Sequence, residues 1–218
     1  MKKHILVVGG AGYIGSHMVR RLQRAGYAPI VMDKLLRGGR DAVAAPLLVA
    51  DAGDMQALNT LFEACSITAV MHFAEFGQVS LPNKYDKDNV NSLLRLLGTM
   101  VQHDVRHFVC SANLASTPAD SHGESKWIVE QILEDFERTH GLASTCLRHF
   151  TDVQDGAGID DLCEAHLLAL ETLLSGRPGK RCSLDNEGGK TLPGIFAAVQ
   201  GMNERPISKT SGLRHALI

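Results

Sequence analysis

Short apolar segments alternate with segments of helical periodicity along most of the chain, and this alternation constrains the fold more than any other feature. The first apolar run, HILVV at 4–8, leads through a glycine-rich stretch into a helical pattern that closes on Gly26. Later apolar runs, which predict strands, lie at 29–33, 46–51, 68–74, 107–112 and 143–150. Helical patterns between them lie at 55–65, 89–103 and 122–139. The alternation predicts an α/β fold, a doubly wound parallel sheet of the Rossmann type.

The alternation breaks after Phe150, where polar residues and glycines interrupt the apolar runs. Beyond this point the pattern predicts a helix at 160–175, a short strand within 181–186 and a helix near 191–201. We therefore expect a first domain at 1–150 and a smaller C-terminal part at 151–218 that packs on it. The second segment is small for a domain that folds alone.

The composition favours small-molecule partners. A formal net charge of −2 without runs of Lys or Arg predicts binding to neither nucleic acid nor membrane. Glycines end the first apolar run too early for a signal peptide or a membrane span, so the cytoplasm is the expected location. The five cysteines are far apart and lack CxxC spacing, which predicts buried thiols and no metal site.

Between the first predicted strand and helix, the stretch VVGGAGYIGSH carries three spaced glycines, Gly9, Gly12 and Gly15. Glycines at this place let the backbone approach a pyrophosphate, whose charge is stabilised by the helix N-terminus. Asp33 ends the second predicted strand, where a carboxylate accepts hydrogen bonds from an adenosine ribose and opposes a 2′-phosphate. The pattern therefore predicts a site for NAD. Lys34 and Arg37 lie close by and soften that preference, which leaves NADP as an alternative.

Further motifs follow the glycine turn in a characteristic order. They read GGAGYIGSH at 9–17, MDKLLRGGRDAV at 32–43, MHFAEFGQVS at 71–80, YDKDNVNSLLRLL at 85–97, SKWIVEQILEDF at 125–136, LRHF at 147–150 and DDLCEAHLLALETLLSG at 160–176. Together they resemble the extended short-chain dehydrogenase/reductases, and within them the UDP-galactose (UDP-glucose) 4-epimerase family.

The resemblance implies which residues surround the dinucleotide. Besides the glycines, the lining residues would be Tyr13, Ile14, Asp33, Asp51, Ala52, Phe73, Ala74, Glu75 and Asn89. Lys126 would bond the nicotinamide ribose. Glu75 and Gly77 stand where the family keeps a small residue and a lysine beside the nicotinamide and the pyrophosphate.

The catalytic positions implied by the resemblance depart from the family pattern. The family moves a hydride from the sugar C4 to NAD and returns it to the other face, with the Tyr of a YxxxK motif as base and a Ser or Thr as helper. Here the motif reads HGESK, so His122 stands at the Tyr position and Lys126 at the Lys position. The helper position falls on Asn113, or on Ser111 if the alignment shifts by two residues.

The substituted residues retain part of the chemistry. Neutral His122 has an ordinary pKa of about 6.5 and could accept a hydroxyl proton, but its side chain is shorter than that of Tyr. The positive charges of Lys126 and of the nicotinamide would also disfavour the protonated imidazole. The alternative for His122 is a solvent-facing residue near a helix start. Asn113 could donate a hydrogen bond to a carbonyl but could not relay a proton.

In the family that the chain resembles, a long substrate-binding segment follows the strand that corresponds to LRHF. Here that segment is short, so the resemblance implies a reduced C-terminal substrate lobe. TDVQDGAG at 151–158 stands in place of a long segment that carries most of the uridine and sugar contacts, and Thr151 replaces a substrate-contacting Asn. We therefore expect weak or altered activity toward a UDP-sugar. Two alternatives remain: a non-catalytic dinucleotide-binding or redox-sensing protein, and an NAD(P)-dependent reductase of another small substrate.

The helices at 89–103 and 122–139 carry apolar residues that have two interpretations. These residues are Leu93, Leu94, Leu97, Met100, Trp127 and Ile128. They could form the helical face of a homodimer, as the resemblance implies, or they could belong to the core.

Overall fold

The computed structural model describes residues 2–36, 38–74, 82–113, 121–149 and 157–184, and its elements follow the predicted alternation. In chain order the elements are β1 (His4–Val8), α1 (Tyr13–Arg24), β2 (Ala28–Asp33), β3 (Leu47–Val49), α2 (Met55–Ala64), β4 (Ile67–His72), α3 (Pro82–Gln102), β5 (His107–Asn113), α4 (Ser121–His140), β6 (Ala143–His149), α5 (Ala157–Leu174) and β7 (Arg181–Leu184). A short 3₁₀ helix, Arg40–Ala42, lies between β2 and β3.

The described strands form one sheet in the order β3-β2-β1-β4-β5-β6-β7, and every neighbouring pair is parallel. The predicted doubly wound parallel sheet is confirmed. Because the strands are parallel, their carboxyl ends all meet at the same edge of the sheet. The strand order reverses between β1 and β4, and such a switch point is where open α/β sheets bind ligands.

The core has two parts, one on each face of the sheet. Alternate residues of a strand point to opposite faces, as in β1, where Ile5 and Val7 pack in the same cluster as the apolar residues of α1 and α5. Leu6 and Val8 pack in a second cluster with apolar residues of α2, α3 and α4. Both faces are thus covered, which explains why the strands read as continuous apolar runs.

Helix α3 begins earlier than the apolar pattern predicts. Its first residue is Pro82, a residue type that suits the first helical position because that position needs no intrahelical N–H donor. The periodic apolar residues mark the part of α3 that packs on the sheet. Of these, Leu93, Leu97 and Met100 are buried in the second cluster, whereas Leu94 is 39% exposed. Three of the four residues therefore belong to the core within one chain.

The part of 151–218 that the structure describes continues the sheet. Strand β7 pairs in parallel with β6, and α5 packs in the cluster that contains α1. An ion pair between Arg21 and Glu164 also joins α1 to α5, with a distance of 2.6 Å. The division into 1–150 and 151–218 stays a prediction, and the helix expected near 191–201 lies outside the described residues.

The buried cysteines are part of the apolar core. Cys110 and Cys146 face each other on β5 and β6, and a hydrogen bond to Cys146 together with burial raises the pKa of Cys110. Burial likewise raises the pKa of Cys163 to about 12. Thiols with a raised pKa are mostly protonated at neutral pH and therefore unreactive.

Candidate functional site

The predicted site residues gather at the carboxyl edge of the sheet, around the switch point between β1 and β4. The structure places Gly9, Gly12, Tyr13, Ile14 and Gly15 after β1, Asp33 and Lys34 at the end of β2, Asp51 and Ala52 after β3, Phe73 and Ala74 after β4, and Asn113 at the end of β5. Asn89 lies in α3, and His122 and Lys126 lie in the first turns of α4. Arg37 and Glu75 lie outside the described residues.

Two of the three glycines in the turn after β1 are required by the folded chain itself. Gly9 has a φ of +80°, and a Cβ there would lie 2.5 Å from the backbone nitrogen of Ala74. At Gly15 a Cβ would lie 2.1 Å from the carbonyl oxygen of Gly9. A side chain at either position would collide with backbone, so the turn is tight and closely packed between β1, β4 and α1.

Gly12 is different, because its backbone is extended, with φ −71° and ψ 171°, a conformation that any residue adopts. Among the described residues, a Cβ at Gly12 would meet one atom within 4 Å, the carbonyl oxygen of Gly9 at 3.3 Å. Gly12 is also the N-cap of α1 and supplies no side chain to cap it. The fold alone does not require glycine at this position. An anion that approaches the helix N-terminus would require it, because a side chain would occupy the space of the anion.

Asp33 is held rigidly at the end of β2 by two backbone amides. Its Oδ2 accepts a hydrogen bond from the Ala11 amide at 2.9 Å, and its Oδ1 accepts one from the Leu35 amide at 2.8 Å. The first contact ties Asp33 to the glycine turn. The carboxylate is therefore fixed beside the turn, where it can accept further hydrogen bonds from ribose hydroxyls.

Asp51 forms a second anionic position on the neighbouring strand end. Its Oδ2 forms an ion pair with the Lys34 ammonium, and its Oδ1 accepts a hydrogen bond from the Gly53 amide at 2.7 Å. Burial by itself would raise the pKa of the Asp51 carboxyl. Hydrogen bonds from Lys34, Gly53 and Ser92, together with the Lys34 charge, outweigh this effect and lower the pKa. Asp51 is thus ionised at neutral pH.

Two residues of α3 support Asp51 and were not expected from the sequence. The Ser92 hydroxyl lies 3.3 Å from Oδ1 of Asp51, and the Arg95 guanidinium donates a 3.0 Å hydrogen bond to the carbonyl oxygen of Gly53. These residues are far from Asp51 in the chain. Both lie within the motif at 85–97, but nothing in that motif pairs them with Asp51 or Gly53, so only the packing of α3 against the sheet brings them to the site.

The segment after β4 packs against the glycine turn. The Phe73 amide donates to the carbonyl oxygen of Val8 at 2.8 Å, which extends the pairing of β1 and β4. The Phe73 ring lies 5.0 Å from the ring of His166, a fully buried residue of α5. Burial also lowers the pKa of His72, the last residue of β4, from its ordinary value near 6.5 to about 4. His72 is therefore neutral at physiological pH.

The catalytic candidates lie on the other half of the same edge. Asn113 ends β5, directly opposite His149 of β6, while His122 and Lys126 lie one turn apart in α4. The backbone is described at these positions, but their side chains lie outside the described part of the chain. The structure thus brings the expected elements together, and the roles of the three side chains stay predictions.

Helix α4 is anchored to β6 by a buried ion pair one turn beyond the HGESK motif. The Arg148 guanidinium donates through Nε to Oε1 of Glu130 at 2.7 Å and through a second nitrogen to Oε2. The Glu130 side chain is 7% exposed. Such two-point pairing fixes orientation as well as distance, so it holds the motif end of α4 at the carboxyl edge of the sheet.

The described residues contain no group of three or more His, Cys, Asp or Glu side chains arranged to hold a metal ion. Within the same residues, no helix is both long enough and apolar enough to cross a membrane.

Comparison with known proteins adds independent evidence. Residues 5–153 match the model of the family described as the NAD dependent epimerase/dehydratase family. A UDP-glucose 4-epimerase of Lactobacillus helveticus is 33% identical over 199 residues, which is 79% of this chain and 60% of that protein. The chain thus spans about three-fifths of the length of this relative.

Solved structures of epimerases share the fold. A UDP-glucose 4-epimerase from Brucella ovis, in complex with NAD, superposes with a TM-score of 0.77 at 26% identity, over 88% of this chain and 80% of that one. The UDP-glucose 4-epimerase of Thermotoga maritima, with UDP-glucose, gives a TM-score of 0.72 at 25% identity, over 93% of this chain and 84% of that one.

Proposed function

Because the chain belongs to the NAD dependent epimerase/dehydratase family, we propose that it binds NAD at the carboxyl edge of its sheet and turns over a UDP-sugar only slowly. When bound, the nicotinamide would supply a hydride acceptor. This chain would supply the cradle for the pyrophosphate at Gly12, the ribose acceptor at Asp33 and a further anionic position at Asp51.

One observation carries the NAD part of this proposal. Gly12 has ordinary backbone angles, and among the described residues a Cβ there would meet one atom, the Gly9 carbonyl oxygen at 3.3 Å. It stands at the N-terminus of α1 beside the fixed carboxylate of Asp33. Packing explains Gly9 and Gly15, but a ligand explains Gly12. The residues present therefore fit a dinucleotide.

The expectation of slow turnover rests on the residues at the catalytic positions and on the short segment at the substrate-binding position. His122 and Asn113 replace the base and its helper, and the segment at 151–158 is short. With few groups to hold the uridine, we expect a UDP-sugar to bind in the millimolar range or more weakly.

Calorimetry with NADH and NADPH, in the presence and absence of UDP-glucose, tests both parts. We expect NADH to bind more tightly than NADPH. Absence of NADH binding would refute the cofactor assignment. Micromolar binding of UDP-glucose would show instead that the remaining residues rebuild a substrate site.

A second candidate is a dinucleotide-binding protein without catalysis, which is favoured by His122 at the position of the family's Tyr. Under this alternative the chain binds NADH but does not epimerise the sugar. Incubation of the NAD-loaded protein with C4-deuterated UDP-galactose separates the two, because catalysis would return the deuteride to the other face of C4. Appearance of C4-deuterated UDP-glucose indicates catalysis, and unchanged UDP-galactose indicates binding alone.

We also propose a homodimer through α3 and α4. The exposed Leu94 lies on α3 beside buried core residues, so an apolar position is left at the outer surface of that helix. Sedimentation analysis of wild type and of Leu94→Glu tests this proposal. A dimer that dissociates on the substitution supports it, and a wild-type monomer contradicts it.

A further inference from the structure

We propose that the ion pair between Lys34 and Asp51 determines the preference for NAD over NADP, because it holds the lysine ammonium away from the place that a 2′-phosphate would occupy. This inference rests on the proposed dinucleotide site and assigns its specificity to a pair of side chains. A lysine directly after Asp33 would otherwise be expected to favour the phosphorylated cofactor.

The pair joins two neighbouring strand ends. Lys34 directly follows Asp33, and Asp33 lies opposite Val49 of β3, two residues before Asp51. The Lys34 and Asp51 side chains are 35% and 41% exposed, so the pair lies at the surface of the site rather than in the core. A cofactor that binds there would contact it.

Asp51 is the fixed member of the pair. Its Oδ1 is held by the Gly53 amide at 2.7 Å and by the Ser92 hydroxyl at 3.3 Å, and these contacts leave Oδ2 directed to Lys34. Lys34 is a flexible chain that adapts to its partner. The ammonium is therefore placed where Asp51 requires it.

The pair determines the charge that a 2′-phosphate would meet. With Lys34 neutralised by Asp51, the negative charge of Asp33 is uncompensated beside the ribose and repels a phosphate. Without the charge on Asp51, Lys34 could turn toward the phosphate and form a charge-assisted hydrogen bond. The same lysine thus supports either cofactor, depending on residue 51.

The test is a double-mutant cycle with dissociation constants for NADH and NADPH as readout. Asp51→Asn keeps an oxygen for Gly53 and Ser92 but removes the charge. We expect Asp51→Asn to lower the ratio of the NADPH dissociation constant to the NADH dissociation constant about tenfold. A change of this size corresponds to the gain of one hydrogen bond to a charged group. In the Lys34→Gln background the same substitution should change the ratio less than twofold. Asp41→Asn, a change of the same charge at an exposed residue, should leave the ratio unchanged.

Each result decides between explanations. An equal change in both backgrounds would mean that Asp51 acts by direct repulsion, and no change in either background would mean that the pair is irrelevant; both overturn the inference. Failure of the wild type to bind NADH would overturn the proposed function as well.

A measurement without cofactor checks the pair itself: in Lys34→Gln the pKa of Asp51, followed by NMR, should rise. An unchanged pKa would also overturn the inference.

Discussion

The two halves of the carboxyl edge differ in what holds them and in what they retain. On the β1–β2 half, backbone contacts fix the glycine turn, and Asp33 binds directly to that turn. On the β5–β6 half, the Glu130–Arg148 ion pair fixes α4, while the positions that would perform the chemistry carry His122 and Asn113. Under the proposed function, the first half would supply the groups that hold the cofactor, and the second a scaffold whose proposed catalytic positions carry altered residues.

This difference shows that scaffold and chemistry can separate. A parallel sheet aligns every strand end at one edge whatever side chains those ends carry. Binding of a dinucleotide uses mainly backbone and one carboxylate, whereas proton transfer needs particular side chains at particular distances. Under the proposed function, the residues at positions 113 and 122 would therefore impair proton transfer without removing the groups proposed to hold the cofactor.

The contrast between the two halves should affect turnover most. We expect epimerisation of UDP-galactose at least about 100-fold below an ordinary rate of about 10 per second, because loss of a general base typically costs about 10²- to 10⁴-fold. His122→Tyr combined with Asn113→Ser should recover less than about tenfold, since substrate positioning is a separate requirement. Steady-state assays of both proteins measure this.

Two results of these assays would remove the contrast between the halves. A double mutant near 10 per second would show that the short segment at 151–158 suffices for substrate binding. Ordinary turnover by the wild type, abolished in His122→Ala, would identify the histidine as a working base.

The next largest effect concerns Gly12. Gly12→Val should weaken NADH binding at least about 100-fold, because the side chain would occupy the space of the pyrophosphate. The free energy of unfolding should fall by only about 1 kcal/mol, because Val is a poorer N-cap than Gly and its Cβ would lie 3.3 Å from the Gly9 carbonyl oxygen. Titration calorimetry and urea unfolding measure the two quantities.

Gly98→Val is the matched control for this substitution. Gly98 lies in α3 with open space around its Cβ position, so the same change there should leave NADH binding intact. Undiminished binding by Gly12→Val would show that the turn does not hold a pyrophosphate.

A third prediction tests the anchor of the catalytic half. Arg148→Ala should lower the free energy of unfolding by about 3–4 kcal/mol, because it leaves the buried Glu130 carboxylate without its partner. Arg138→Ala breaks an ion pair with Asp135 whose side chains are 75% and 58% exposed, and it should cost less than about 0.5 kcal/mol. Equal effects in denaturant titrations would mean that the buried pair is no special anchor.

The smallest effect concerns pH and the strand between the two halves. The pKa of His72 is near 6.5 in the unfolded chain and about 4 in the folded chain. Between these pH values the unfolded chain binds a proton that the folded chain does not bind. The contribution of His72 to stability is therefore complete above pH 6.5 and is lost as the pH drops toward 4. His72→Asn should lose this part of the pH dependence in denaturant titrations at several pH values. An unchanged dependence of stability on pH in His72→Asn would mean that another group titrates in this range.

The alternation of elements, the parallel sheet and the places of Gly9, Gly12, Gly15 and Asp33 could be predicted from the amino-acid sequence. Each of these is a local property: buried strands read as apolar runs, helices as periodic ones, and a tight turn requires glycine. The strand bounds of β1 and β4 to β6 therefore agree with the predictions within about two residues.

Which side chains meet could be read only from the folded chain. The Lys34–Asp51 and Glu130–Arg148 pairs, and the support of Asp51 by Ser92, join residues that lie on different elements. The burial of Leu93 but not Leu94 was settled in the same way, by the face that α3 turns to the sheet. The periodicity of apolar residues indicates which face of an element is buried. It does not indicate which residue a side chain contacts, because those contacts depend on strand order and helix packing, which are set by the chain as a whole.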